Sequence, residues 1–209
     1  MDIGHIGAGL ALKKVDKKVN LGGLIFASNL LDIVFILLVL LGIETIPTSH
    51  EGWQYLFSTL PYSHSFLAST FWSALMFVFV FLVWRKHGWH TAVIIAAAVF
   101  SHFILDLVYF APGVPRDLIT AIEYLIVIIG VWLYLGTTKK RPFIKMVGIA
   151  MLVIILIVVI NSLPLLILVL LGQVSETQSP SLPVIGFLGI IQPLTWSGLA
   201  FWIDRRKVL

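Results

Sequence analysis

Six long apolar stretches divide the chain: Leu21–Ile43, Tyr62–Trp84, Thr91–Phe110, Leu118–Gly136, Phe143–Leu171 and Val184–Ile203. Each is near or above the roughly 20 residues that a helix needs to cross a bilayer. The pattern predicts an all-α integral membrane protein with six transmembrane helices. Basic residues flank the stretches and set their direction. Lys13, Lys14, Lys17, Lys18, Arg85, Lys86, Lys139, Lys140, Arg141, Lys145, Arg205, Arg206 and Lys207 fall on one side, and Arg116 alone falls on the other. That asymmetry places both termini in the cytoplasm. Trp53, Tyr55, Trp84, Trp89 and Trp202 sit at the expected interfaces. The loop Glu44–Pro61 is acidic and external, with room for a short interfacial helix, and the Ser/Pro-rich loop Gly172–Pro183 is external.

The segment Met1–Leu12 is apolar but only half a span long. With Lys13–Lys18 anchored in the cytoplasm it would rise roughly 15 Å at 1.5 Å per residue, which is tolerable only if protein surrounds it. A buried N-terminal half-helix is therefore expected, with Gly4, Gly7 and Gly9 permitting close helix contact. It would deliver His5 into the membrane. Its basic sequel, without a small-residue cleavage site, does not read as a cleavable signal peptide.

Composition narrows the class. The 209 residues are 59% hydrophobic and 11% charged, against about 25% charged in a soluble domain. One polytopic domain, 1–209, is expected, with no internal repeat. Cysteine is absent, so any metal must be held by imidazole and carboxylate. The net charge of +4 does not imply a nucleic-acid partner, because the basic residues lie at the ends of apolar runs.

Against this background the polar exceptions stand out: Asp32, His64, His102, Asp106 and Glu123. An ionisable group inside a bilayer costs roughly 2.5–3.5 kcal/mol on insertion scales and is usually paired, metal-bound or functional. His102 and Asp106 share one helix face, a turn apart. Counting helical rise from the cytoplasmic ends puts Asp32 and His102 about 18 Å up, Asp106 one turn higher and Glu123 near 20 Å. His64 lies highest, and His5 lowest at about 12 Å. A common layer in the outer half of the bilayer is consistent with one site. Each residue also has a structural reading. Asp32 could bond Ser28, His64 could cap a helix begun by Ser63, His102 and Asp106 could satisfy one another, and Glu123 could pair with Arg116. His50, His87 and His90 read as interfacial, Asn161 and Pro164 as a kink, and Gln192 as an unassigned neighbour.

Taken in order, Gly4-His5, Leu31-Asp32-Ile33, Ser63-His64-Ser65 and Ser101-His102-Phe103-Ile104-Leu105-Asp106 resemble a bacterial inner-membrane family, the membrane-bound metal-dependent hydrolases. That group includes a LexA-regulated inner-membrane hydrolase and is distantly similar to zinc-dependent phospholipase C-like proteins. The resemblance covers roughly residues 1–136; Glu123 and Gly130–Tyr134 resemble a branch with a glutamate in its fourth span. The last two spans, 143–203, carry no such motif. Ile33-Val34 and Leu60-Pro61-Tyr62 stand where better-known members carry further acid and histidine ligands, which leaves donors for one ion rather than two.

Three functions of different classes remain open. The first is a hydrolase of the prokaryotic inner membrane acting on a phospholipid or prenyl-phosphate-like amphiphile. One divalent ion, Zn²⁺ before Mn²⁺ or Mg²⁺, would be held by His64, His102 and Asp106 with Asp32 or His5, and Glu123 or Asp32 would be the catalytic base. The second is a small proton- or ion-coupled transporter. The third is a non-catalytic membrane scaffold whose polar network fixes helix packing. The sequence leaves the oligomeric state open.

Overall fold

The computed structural model describes residues 2–46, 56–84, 88–137 and 182–206. The fifth expected span with its Asn161 and Pro164 lies outside them, as do His50 and His87. The described residues form helices α1 (Asp2–Leu12), α2 (Leu21–Ser28), α3 (Leu30–Leu40), α4 (Leu56–Thr59), α5 (Phe66–Val83), α6 (Gly88–Tyr109), α7 (Arg116–Leu135) and α8 (Leu182–Arg206), with no strand among them. Three of these, α5, α6 and α7, are long and apolar enough to cross a membrane, and α2 with α3 makes a fourth if the bent pair is one span. That is fewer than the six expected. The helix α8 runs through the sixth expected stretch, with Pro193 inside it.

The first expected span is not one rod. It bends by 49° between α2 and α3. Side chains bond back to the backbone beside the break: Asn29 Nδ2 and Ser28 Oγ both donate to the Ile25 carbonyl, at 2.8 and 3.0 Å, and that carbonyl also accepts from Asn29 N–H at 3.2 Å. Ser and Asn side chains that bond back to nearby backbone compete with the helical ladder. The break releases the Ser28 carbonyl for another partner. Beyond it α3 is closed off after Leu40 by Gly42, whose φ of +70° is the left-handed conformation that glycine adopts without strain. Ile43 N–H returns to the Leu38 carbonyl at 2.9 Å, the closing bond of a Schellman turn. This turn folds Glu44 back toward the start of α5.

The broken span is the centre of the bundle. Its Leu24, Ala27 and Leu31 pack with Ala92, Ile95, Ala98 and Val99 of α6. Leu21 and Ile25 pack instead with Ile6 and Leu10 of α1, Val127 and Val131 of α7, and Trp196 of α8. The half-helix α1 is buried among its neighbours, with Ile6 and Leu10 at 2% and 4% exposure. Its closest approach is to α7, where a Cβ on Gly7 would lie 2.9 Å from the backbone of Ile126 and Val127, and a Cβ on Gly130 would collide with the Gly7 carbonyl. Two backbones can touch there because both positions are glycine. By contrast α5 turns Leu67, Phe71, Leu75, Val78 and Phe79 outward, the surface expected to face lipid.

Candidate functional site

Three helices and one turn near the break, α1, α3, α6 and the turn before α5, contribute polar side chains to one cluster. Asp32 stands in the first turn of α3, where the helix N-terminus favours a carboxylate. On α6 the buried positions Ile95, Ala98, Val99, His102, Phe103 and Asp106 follow one face, which carries His102 and Asp106 inward together. His64 sits in the turn before α5, and His5 on α1. His102 Nε2 lies 3.4 Å from Asp32 Oδ1 and 3.4 Å from Asp106 Oδ2. His64 Nε2 lies 3.5 and 3.6 Å from the same two oxygens. His5 Nε2 is 3.6 Å from Asp106 Oδ1, and its ring stacks on His102 with centroids 3.6 Å apart. His5, His102 and Asp106 are essentially sealed, while the Asp32 side chain is 27% exposed.

The outer nitrogens decide what the inner ones present. His102 Nδ1 is 2.8 Å from the Ser28 carbonyl released by the helix break. A carbonyl can only accept, so His102 carries its proton on Nδ1. His64 Nδ1 is 2.8 Å from Ser63 Oγ, whose single proton is directed to Glu44 Oε2 at 2.6 Å. Ser63 therefore accepts from His64 Nδ1–H. In the neutral form of the two imidazoles, two Nε2 lone pairs would face two carboxylates. A charge-assisted N–H···O bond would close to about 2.7–2.9 Å. The observed 3.4–3.6 Å instead equals the spacing between neighbouring ligands, roughly 3.3–3.6 Å, that 2.0–2.2 Å bonds to a tetrahedral ion impose. His5, Asp32 and His102 form one triad able to hold a metal ion, and His64, His102 and Asp106 form another. Among the described residues, both His5 ring nitrogens, His102 Nε2 and Asp106 Oδ1 are buried with no hydrogen-bond partner. Chemically the cluster can bind a divalent cation or pass protons.

The cluster opens into a cavity of about 370 Å³. Asp32, His64 and Asp106 line it on one side. Apolar walls include Phe35, Phe110 and Trp196, and Asn29, Tyr109, Arg116 and Gln192 add further polar character.

Of the residues singled out in the sequence, His5, Asp32, His64, His102 and Asp106 are brought together. Glu123 is buried on α7, in the stripe with Ile119, Val127, Gly130 and Val131. It belongs to neither triad. The Gly7–Gly130 contact sets α1 alongside α7, with Glu123 about one turn beyond the level of His5. Ser63 does not cap α5. Ser65 does, accepting from Ala68 N–H at 3.1 Å, because Ser63 is already held by Glu44. Ser28 bonds Ile25 rather than Asp32 through its hydroxyl. Two contributors were not singled out from sequence: Glu44, and the backbone carbonyl of Ser28. The Ser28-Asn29 pair inside an apolar run was the available signal for the second. Nothing local marks Glu44, since its contact spans 19 residues of chain.

Compared with known proteins, the chain matches no family model, no curated protein and no solved structure.

Proposed function

We propose that this chain is a membrane-embedded, metal-dependent hydrolase acting on an amphiphile with an anionic, phosphate-like head group. The observation that carries the reading is the convergence of two imidazole Nε2 atoms and two carboxylates at ligand-to-ligand spacing, with both imidazoles turned by their outer hydrogen bonds to offer lone pairs. His64, His102 and Asp106 would hold one Zn²⁺-like ion and leave a position for water, with His5 able to complete or exchange into the set. Such an ion, when bound, lowers the pKa of a water ligand toward about 7. Asp32, the more exposed of the two carboxylates at the cavity, is assigned as the base that orients water. The buried Glu123 is assigned a supporting role beyond His5. Arg116, at the cavity wall, offers the planar fork that suits a phosphate, while the apolar wall suits an acyl or prenyl chain. This agrees with the resemblance to the membrane-bound metal-dependent hydrolases. We extend it to the topology: six spans, both termini cytoplasmic, in a prokaryotic inner membrane.

Metal analysis of the purified protein beside its His102→Ala variant tests the reading. Stoichiometric Zn²⁺ or Mn²⁺ in the first and none in the second supports it. Wild-type protein that neither retains nor takes up a divalent ion defeats it.

A second reading has its own observation. Discontinuous helices with ionisable groups at the break are how coupled transporters build their sites, and Asp32 stands just beyond a 49° break. Proton flux across liposomes without ester turnover would favour that function.

A further inference from the structure

We propose that Glu44, acting through Ser63, is a positioning residue that fixes His64 in the tautomer able to bind a cation. The inference rests on the metal reading above and adds to it a part of the chain that no ligand motif includes.

Glu44 is 4% exposed. Among the described residues its side-chain bonds go to the segment that carries His64. Oε1 accepts from Tyr62 N–H at 2.8 Å and from Ser63 N–H at 3.0 Å. Oε2 takes the Ser63 hydroxyl proton at 2.6 Å. These bonds give the carboxylate a fixed orientation and the hydroxyl a fixed polarity. Ser63 Oγ has one proton, directed to Glu44, so toward His64 Nδ1 it can only accept. His64 is left with its proton on the outer nitrogen and its lone pair on Nε2, between Asp32 and Asp106. An acidic group behind a histidine ligand fixes its ring and raises its basicity. Here one hydroxyl is interposed.

A purely structural role would need only the two backbone bonds, and that difference makes the idea testable. In Glu44→Gln the amide oxygen can replace Oε1 and keep both backbone N–H groups. The amide nitrogen then faces Ser63 Oγ and donates to it. The hydroxyl must send its proton to His64 Nδ1, which moves the imidazole proton to Nε2 and removes the lone pair from the site. The polarity of the whole relay reverses with scarcely any change of shape.

The experiment is a Co²⁺ titration of the full-length protein in detergent, followed by Zn²⁺ competition, for wild type, Glu44→Gln and Ser63→Ala. Glu44→Gln is expected to unfold at the wild-type temperature but to bind Co²⁺ about 10–100-fold more weakly, with an absorption spectrum changed by the loss of one imidazole. Ser63→Ala frees the tautomer without reversing it and should show a smaller loss. Wild type that binds Co²⁺ beside a Glu44→Gln variant of equal affinity and spectrum overturns the inference and leaves the metal reading standing. Wild type that binds neither ion overturns both. If Glu44→Gln fails to fold, Ser63→Ala decides alone, and wild-type affinity in that variant refutes the relay.

Discussion

Two of the buried ionic groups among the described residues are built on opposite plans. Below the cluster, Lys13 Nζ donates to the Lys17 carbonyl at 3.0 Å, the Val19 carbonyl at 2.6 Å and Asp204 Oδ2 at 2.9 Å. Asp204 Oδ2 also accepts the Leu21 N–H that opens α2, at 3.0 Å. The ammonium finds an acceptor for each of its protons, and the pair ties the α1–α2 turn to the end of α8. In the His/Asp cluster several buried polar atoms have no hydrogen-bond partner among the described residues. A satisfied buried pair is a fastening. A buried set with unmet ligand atoms is geometrically able to take a cation, and leaving such groups unmet costs more than the net worth of an ordinary hydrogen bond.

The comparison is sharpest when each group loses one acid. Asp106 approaches three imidazoles, so Asp106→Asn should weaken metal binding more than any outer contact can, by over about 100-fold. Without metal, the same variant should be at least as stable as wild type, since an amide NH₂ supplies a donor where carboxylates now face lone pairs. Thermal unfolding with and without chelator checks both halves. A metal-free Asp106→Asn protein much less stable than metal-free wild type would make the cluster a fastening like the other.

At the second group the signs reverse. Lys13→Met leaves Asp204 facing the α2 terminus without its cation. Breaking a buried pair costs about 3–5 kcal/mol; the lower end applies because the Asp204 side chain is 19% exposed. Stability should fall by about 3 kcal/mol while metal content per folded molecule stays unchanged. The double variant Lys13→Met/Asp204→Leu should recover part of the loss, which a denaturation series in detergent would show.

The same contrast explains what the sequence could and could not tell. His102 and Asp106 were legible because a helix face is a local property, and Asp32 because an acid in an apolar run has few innocent explanations. Residue depth followed from helical rise and placed them in one layer. Azimuth does not follow from rise, so convergence had to be seen. The break at Asn29 was read as part of an unbroken span, because apolar length alone cannot reveal where two side chains divert the backbone. Lys13 read as one more cytoplasmic charge, and its partner Asp204 is 191 residues away. Glu44 read as a loop acid for the same reason: a contact between distant parts of the chain leaves no trace in local pattern.

A smaller effect is expected where α1 delivers His5. Gly130→Ala would push its methyl into the Gly7 carbonyl and lift α1 from α7. Overpacking of this kind costs about 1–3 kcal/mol, and His5 should retreat from Asp106 with it. Metal affinity should drop as far as in His5→Ala and no further. Combining the two should add nothing, since both remove the same contact. Additive losses in the double variant would show that α1 supports the site by some route other than His5.

The smallest effect is expected at the break, and it bears on why the first span is bent. In an unbroken helix the Ser28 carbonyl would accept from Asp32 N–H, four residues on. At the break it instead accepts from His102 Nδ1. The bend thus provides the outer hydrogen bond that turns His102 Nε2 toward the acids, much as Ser63 does for His64. Asn29→Ala removes the amide that bonds back to the Ile25 carbonyl and replaces a poor helix former with the best one. The packing of Leu24, Ala27 and Leu31 against α6 still resists straightening, so only part of the population should lose the His102 bond. Affinity for Co²⁺ should fall several-fold, short of the 10–100-fold that follows complete loss of an outer partner, and thermal stability should hold or rise. Asn29→Asp, whose side chain can no longer donate to Ile25, should behave alike without the gain in helix propensity. A variant at Asn29 that loses stability but keeps full affinity would mean that the break serves packing alone, and that His102 is oriented by its stack on His5.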